Sequence, residues 1–263
     1  MPFGKVLGLG KKEIQLTTAD NKKVVINSNI QRIGLKTIGL PHTEVRQRAR
    51  LIYGNLKIKE GMDVLDAGSG PGMYALSIAS EYPARVLGVD IDTQKLKSAE
   101  EIAKNVGLKN VKFGFGDLRN LKNIKNNSFD VVICSDVLEH VDKDEAAMKE
   151  IYRILKPGAY ALITFPHWNE HNARTMKEYG HERPGYKFED VRRKFGKAGF
   201  KIEKIRGYTY LFGKIAWYIN SKSFFSPILT AALFPIAYFI SLLDFIAIGS
   251  PNGVFAVVRK AKK

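Results

Sequence analysis

The chain has 263 residues, 45% hydrophobic and 26% charged, a balance that fits a folded globular protein and one large α/β domain with an accessory piece. Its formal net charge of +16 favours polyanionic partners (nucleic acid, an anionic membrane surface or phosphorylated substrates), with a purely solubilising role as the plain alternative. A single cysteine, Cys134, excludes an intramolecular disulfide and a cysteine zinc cluster, and "MPFGKVLGLGKKEIQL" carries no signal-peptide pattern, so a cytoplasmic location is expected.

In chain order, residues 12–27 read as two short strands around the turn Ala19-Asp20-Asn21. Residues 43–57 read as a helix with Thr43 as N-cap and Leu51, Ile52 and Leu56 on one side. From Gly61 the pattern alternates. Strand "MDVLDA" precedes helix "PGMYALSIASEY", and strand "ARVLGVDI" precedes helix "TQKLKSAEEIAKNVG". Strand "VKFGFGD" leads to a polar loop, strand "FDVVICSD" to helix "KDEAAMKEIYRIL", and strand "AYALITF" follows. Helix "FEDVRRKFGKAG", strand "FKIEKIRGYTY", a long apolar segment and strand "GVFAVVRKA" complete the chain. Short apolar strands alternating with helices predict a parallel sheet covered on both faces, with right-handed crossovers.

The first of these strands runs into a glycine loop, Gly68-x-Gly70-x-Gly72, which opens a helix. A dinucleotide fingerprint would place its third glycine where Met73 stands, and a triphosphate loop would follow with Gly-Lys-Ser/Thr, which is absent. The loop lets backbone approach a ligand closely without gripping a triphosphate.

"VLDAGSGPG" is followed by "VLGVDID", "FGFGDLRNL", "FDVVICSDVLEHV" and "ILKPGAYALITF". In order and spacing this series resembles the class I S-adenosylmethionine (SAM) dependent methyltransferases, over residues 61–210 and the last strand. "GHERPGY" resembles a His-x-Arg-x-Gly-Tyr pattern of the type 11 branch. The resemblance implies an α/β, doubly wound, mostly parallel seven-stranded Rossmann-like sheet, its last strand antiparallel and inserted beside the fifth. The expected organisation is a hairpin-and-helix extension at 1–60, a core at 61–210, an apolar helical insertion at 211–250 and the last strand at 251–263.

The resemblance also implies roles. Asp66, Gly68, Ser69, Gly70 and Gly72 would hold the methionine end of SAM. Asp90 would accept the ribose hydroxyls, a strand-end carboxylate used as in dinucleotide folds. Ile91 would pack on the adenine, Asp117 would accept its amino group, and Leu118 would donate its backbone N–H. Ser135 would stand where the methyl emerges.

Methyl transfer from a sulfonium needs positioning, and a base only where the acceptor loses a proton. Asp136, Glu139 and His140 would share one face if "DVLEH" is helical. Three readings stay open for this cluster. It could hold Mg²⁺, as in the metal-assisted O-methyltransferases of ubiquinone biosynthesis that it resembles; it could offer His140 as a base oriented by Glu139; or it could be structural. No dedicated metal ligands are assigned. Asp142 with Glu145 reads as the capping box of the next helix. After the fifth core strand come His167, His171, His181 and Arg183; His167, directly beyond the strand, is the expected acceptor contact, and Arg183 with Tyr186 is expected to order the loop.

The segment Phe224–Gly249 is long enough to cross a bilayer, but "GVFAVVRKA" must return to the sheet, and Pro227, Pro235 and Asp244 interrupt it. It is expected to form two helices broken at Pro235, either a lid or dimer surface, or a peripheral contact with the inner membrane face, with Trp217 and Tyr218 at the interface. The expected activity is methyl transfer to an oxygen or carbon of a small, lipid-like acceptor such as a quinone, a lipid or a lipid-linked glycan, by a monomer or homodimer. The alternatives are RNA methylation, which lacks the Asn/Asp-Pro-Pro-aromatic and Pro-Cys elements, and SAM binding without catalysis.

Overall fold

A computed structural model describes residues 14–17, 23–26, 43–175, 177–223 and 227–262. Strands β1 (Ile14–Thr17) and β2 (Lys23–Ile26) pair antiparallel as a hairpin, whose expected turn lies outside the described residues. Helix α1 (Thr43–Asn55) precedes the core. Then come β3 (Asp63–Ala67), α2 (Met73–Glu81), β4 (Arg85–Asp90), α3 (Thr93–Val106), β5 (Val111–Phe115), β6 (Phe129–Ser135), α4 (Asp144–Ile154) and β7 (Leu155–Pro166). The chain continues through α5 (Glu170–Thr175), α6 (Phe188–Lys197), β8 (Lys201–Tyr208), α7 (Leu211–Ser223), α8 (Pro227–Leu242) and β9 (Gly253–Arg259).

The seven core strands lie in the order β5-β4-β3-β6-β7-β9-β8. β9 runs antiparallel between β7 and β8, the insertion that the motif series implies. Consecutive buried residues divide between the faces. Leu65, Val132, Cys134 and Ile163 join one core with Met148, Ile151 and Phe165; Val64, Val131, Ile133 and Leu162 join the other with Ile52, Tyr74 and Ile78. A strand apolar at every position belongs where both faces are covered.

Three local expectations are corrected. Thr43 is the first residue of α1, and its hydroxyl accepts from Asn220 Nδ2 at 2.7 Å. α4 starts from Lys143 with no side-chain cap, because Arg119 draws Asp142 away and Lys197 binds Glu145. The apolar helices do not break at Pro235, which lies within α8; the boundary falls between Ser223 and Pro227, where proline's fixed φ and missing N–H suit a helix start. No helix among the described residues is long and apolar enough to cross a membrane.

Candidate SAM and acceptor site

The C-terminal ends of β3, β4 and β5 build one side of the site. Gly68, Gly70 and Gly72 all take positive φ. A Cβ on Gly68 would lie 2.4 Å from the Val137 side chain, and one on Gly72 would lie 2.9 Å from the Phe113 ring and 3.0 Å from Ala99. Gly72 therefore allows the close helix–strand approach that a dinucleotide fold assigns to the next position.

Asp66 is fully buried and its Oδ2 accepts from Ala75 N at 2.9 Å. Burial, with Asp90 nearby, pushes its carboxyl up to about 7. Asp90 accepts one backbone N–H on each oxygen, from Gly70 at 2.7 Å and Asp92 at 2.9 Å. That fixes the carboxylate and leaves each oxygen a lone pair, the acceptor set that the two hydroxyls of a ribose diol need. Ser69 Oγ is buried without a partner among the described residues. Ile91 and, opposite Asp90 in the register, Phe115 are each 66% exposed at the cleft edge. Arg119 Nη2 lies 2.6 Å from Asp117 and holds that carboxyl below its ordinary range. Leu118 is buried, and its backbone N–H has no partner among the described residues. These groups fit SAM: an acid for the ammonium, an acid for the ribose, an apolar edge and a free N–H for the adenine.

The other side is assembled from distant segments. Ser135 Oγ donates to Thr164 Oγ1 at 2.8 Å, and Thr164 Oγ1 donates to Asp136 Oδ1 at 2.9 Å. Arg48 of α1 forms an ion pair with Asp136, whose φ of 53° is the left-handed region a non-glycine residue occupies at a cost. Glu44, one turn before Arg48, is pushed upward by burial and pulled back by Arg48 and by Lys214 of α7.

His167 follows β7. Its N–H donates to Asn252 O at 2.7 Å, its ring packs on Phe188 at 5.4 Å, and its buried Nδ1 has no well-formed hydrogen bond among the described residues. Burial, with Lys214 nearby, lowers its pKa, so the ring is neutral at pH 7.

The expected Asp136–Glu139–His140 face does not form. Residues 138–140 make one 3₁₀ turn, while Asp136 turns to Arg48 and Thr164. Glu139 is 1% exposed, with a carboxyl that burial pushes up to about 8. His140 Nδ1 bonds Gly180 O at 3.0 Å, and its ring meets His181 edge-on at 4.6 Å. Glu139, His140 and His181 bring one potential ligand atom each within 4.8 Å of one another. Two imidazoles and a carboxyl that favours its proton do not make the oxygen set Mg²⁺ prefers, so the residues do not fit that ion. His171 lies on the short helix α5 and is not one of this trio. Arg183 donates to the carbonyls of Leu138, Val141 and Asp142, and Tyr186 Oη donates to Asp144 Oδ2 at 2.8 Å; together they order the loop. Arg48, Phe115, Arg119 and Lys214 were not singled out from sequence, since each matters through a partner that only folding supplies.

The family profile described as a methyltransferase domain matches residues 58–200. The chain is 33% identical over 113 residues to norajmaline N-methyltransferase of Rauvolfia serpentina, covering 42% of this chain and 38% of that protein. It is 31% identical over 160 residues to sterol methyltransferase-like 1 of Botryococcus braunii, covering 56% and 40%. It is 34% identical over 117 residues to phosphoethanolamine N-methyltransferase 2 of Caenorhabditis elegans, covering 42% and 26%. The chain thus spans 26–40% of the length of these curated relatives. Among solved structures, phosphoethanolamine N-methyltransferase 2 of Haemonchus contortus with SAM superposes at TM-score 0.65, 21% identity, covering 91% of this chain and 62% of that one. The [4+2]-cyclase SpnF superposes at 0.60, 21% identity, covering 81% and 79%, so the fold alone does not name the reaction. With the profile over more than half its length and the strand-end acids in place, the chain belongs to the class I SAM-dependent methyltransferase family.

Proposed function

We propose that this chain transfers the methyl of SAM to an oxygen or carbon of a small acceptor with an apolar body, at a membrane surface facing the cytoplasm. SAM supplies an activated methyl group; the chain's residues place it and exclude water. Asp66 holds the ammonium of SAM and Asp90 its ribose, and Ser135, Thr164, Asp136 and Arg48 form the wall where β6 and β7 end. His167, its ring kept neutral by burial just beyond β7, is the base for an acceptor that loses a proton. His140 and Glu139 support the loop that carries this wall.

The observation that carries the acceptor class is the apolar surface of α7, α8 and the turn after them. Ile236, Phe239, Phe245 and Ile248 are exposed there, Phe239 by 67% and Phe245 by 77%. Exposed large apolar side chains gathered on one insertion suit contact with lipid or a partner. The sterol methyltransferase-like relative is consistent with such an acceptor, whereas the phosphoethanolamine and norajmaline relatives are named for transfer to nitrogen. The test is transfer of radiolabelled methyl from SAM into fractionated cell extract. Label in the organic phase is expected; label confined to RNA or protein overturns the reading.

A further inference from the structure

Helix α1 presents a second arginine away from the SAM site. Arg46 is 1% exposed, and its Nε and Nη1 have no hydrogen-bond partner among the described residues. Its Nη2 donates to Ser241 Oγ at 3.2 Å. The guanidinium lies 5.1 Å from the Phe234 ring and 5.0 Å from the Tyr238 ring. Exposed Arg50, one turn on, lies 5.4 Å from the same Tyr238 ring and donates to its Oη at 2.9 Å. Among the described residues no carboxylate pairs with either arginine; the nearby Asp244 binds Gln47 Nε2 and the backbone N–H groups of Tyr210 and Gly213. Burial, with Arg50 beside it, lowers Arg46 to about 10, so it stays charged at neutral pH.

A buried guanidinium without a counter-ion is costly, and two aromatic faces offset only part of that cost. Three unused N–H donors beside a second guanidinium match the oxygens of a phosphate. The rest of the ligand is indicated by α8 itself. Phe234, Tyr238 and Ser241, at helical spacing i, i+4 and i+7, face α1, while Ile236 and Phe239 of the same helix and Leu243 beyond it are exposed. We infer that the α1–α8 seam binds the phosphate of an anionic phospholipid headgroup through Arg46 and Arg50, while the apolar residues beside it meet the acyl region. Tyr238, which touches both arginines, is the side chain that must move to admit the headgroup. The inference rests on the membrane contact proposed above and adds a headgroup site to it.

The test is co-flotation of the full chain with phosphatidylcholine vesicles, with and without phosphatidylglycerol, at fixed ionic strength. The wild type is expected to bind the anionic vesicles about tenfold more tightly. Arg46→Met should lose most of that preference, whereas Lys97→Met, which removes the same charge from exposed α3, should keep it to within about twofold. SAM binding by calorimetry controls for folding. Should Arg46→Met lose SAM binding, Arg50→Gln decides, with an expected loss of roughly threefold. Equal losses in the Arg46 and Lys97 variants, or a wild type without preference, overturn the headgroup site while leaving the membrane contact standing. Thermal stabilisation by inorganic phosphate without vesicle preference overturns the lipid assignment. A wild type that binds neither vesicle overturns the membrane contact itself.

Discussion

The half of the site made by β3, β4 and β5 differs in kind from the half made by α1, β6, β7 and α7. In the first, each group is set by its own strand end and by backbone bonds to near neighbours: Asp66 to Ala75, and Asp90 to Gly70 and Asp92. In the second, contacts join residues far apart in sequence: Arg48 to Asp136, Gln47 to Asp244 and Thr209, Thr43 to Asn220. A cofactor of fixed shape is served by local geometry that a strand and a turn can encode. The wall proposed for the acceptor is built from side chains on elements that meet only after folding.

That contrast can be broken at several points. The largest effect is expected from Arg48→Met, which strands a partly buried carboxylate at Asp136 and should cost about 3–5 kcal/mol in urea unfolding. Arg48→Met with Asp136→Asn should restore much of it; an additive double variant would mean the pair does not tie α1 to the sheet. Next, His167→Asn is expected to lower kcat by about 10²–10³ with SAM affinity unchanged. Because burial favours the neutral ring, the acid limb of the wild-type profile should lie below the ordinary histidine range, and an unchanged kcat would remove His167 from catalysis. Asp90→Ala should weaken SAM binding about 100-fold by calorimetry, through the loss of two charge-assisted hydrogen bonds and of the Gly70 anchor.

The smallest effect is a pH dependence. The folded-state pKa of Glu139 is raised from 4.5 to about 8, so the stability it contributes is fully present below 4.5 and is lost as pH rises through about 8. Asp66 behaves alike, rising from 3.8 to about 7. Glu139→Gln, which cannot ionise, should therefore match the wild type near pH 5 and exceed its Tm by about 3–8 °C near pH 9. A constant offset at all pH values would show that Glu139 does not ionise over that range.

The alternation of strand and helix, the glycine loop and the acids ending β3 and β4 were legible because each depends on a few consecutive residues. Even there, sequence did not show that Gly72 is the close-packing glycine: its closeness to Phe113 and Ala99 depends on β5 and α3 folding against the loop. The Asp136–Glu139–His140 face was misread because i, i+3, i+4 spacing holds only in an α-helix. A 3₁₀ turn after a left-handed residue sends Asp136 to Arg48, Glu139 into the core and His140 to His181.

Pro235 reads as a break, yet α8 continues through it; packing along α7 offsets the lost hydrogen bond and the ring clash that an interior proline brings. Asp244 reads as an interruption of an apolar run, yet folded it accepts the N–H groups of Tyr210 and Gly213 at the start of α7. By itself the sequence determined the alternation of strands and helices and the places of the glycine loop and the strand-end acids, since hydrophobic period and turn chemistry act over short range; the strand order and the roles of those acids toward SAM were implied by the family resemblance. Which arginine pairs with Asp136 and which lies beneath α8 with no carboxylate partner among the described residues was decided only by tertiary structure. Arg46 and Arg48, two positions apart on α1, face different partners, and a charge's role is set by what packs against it.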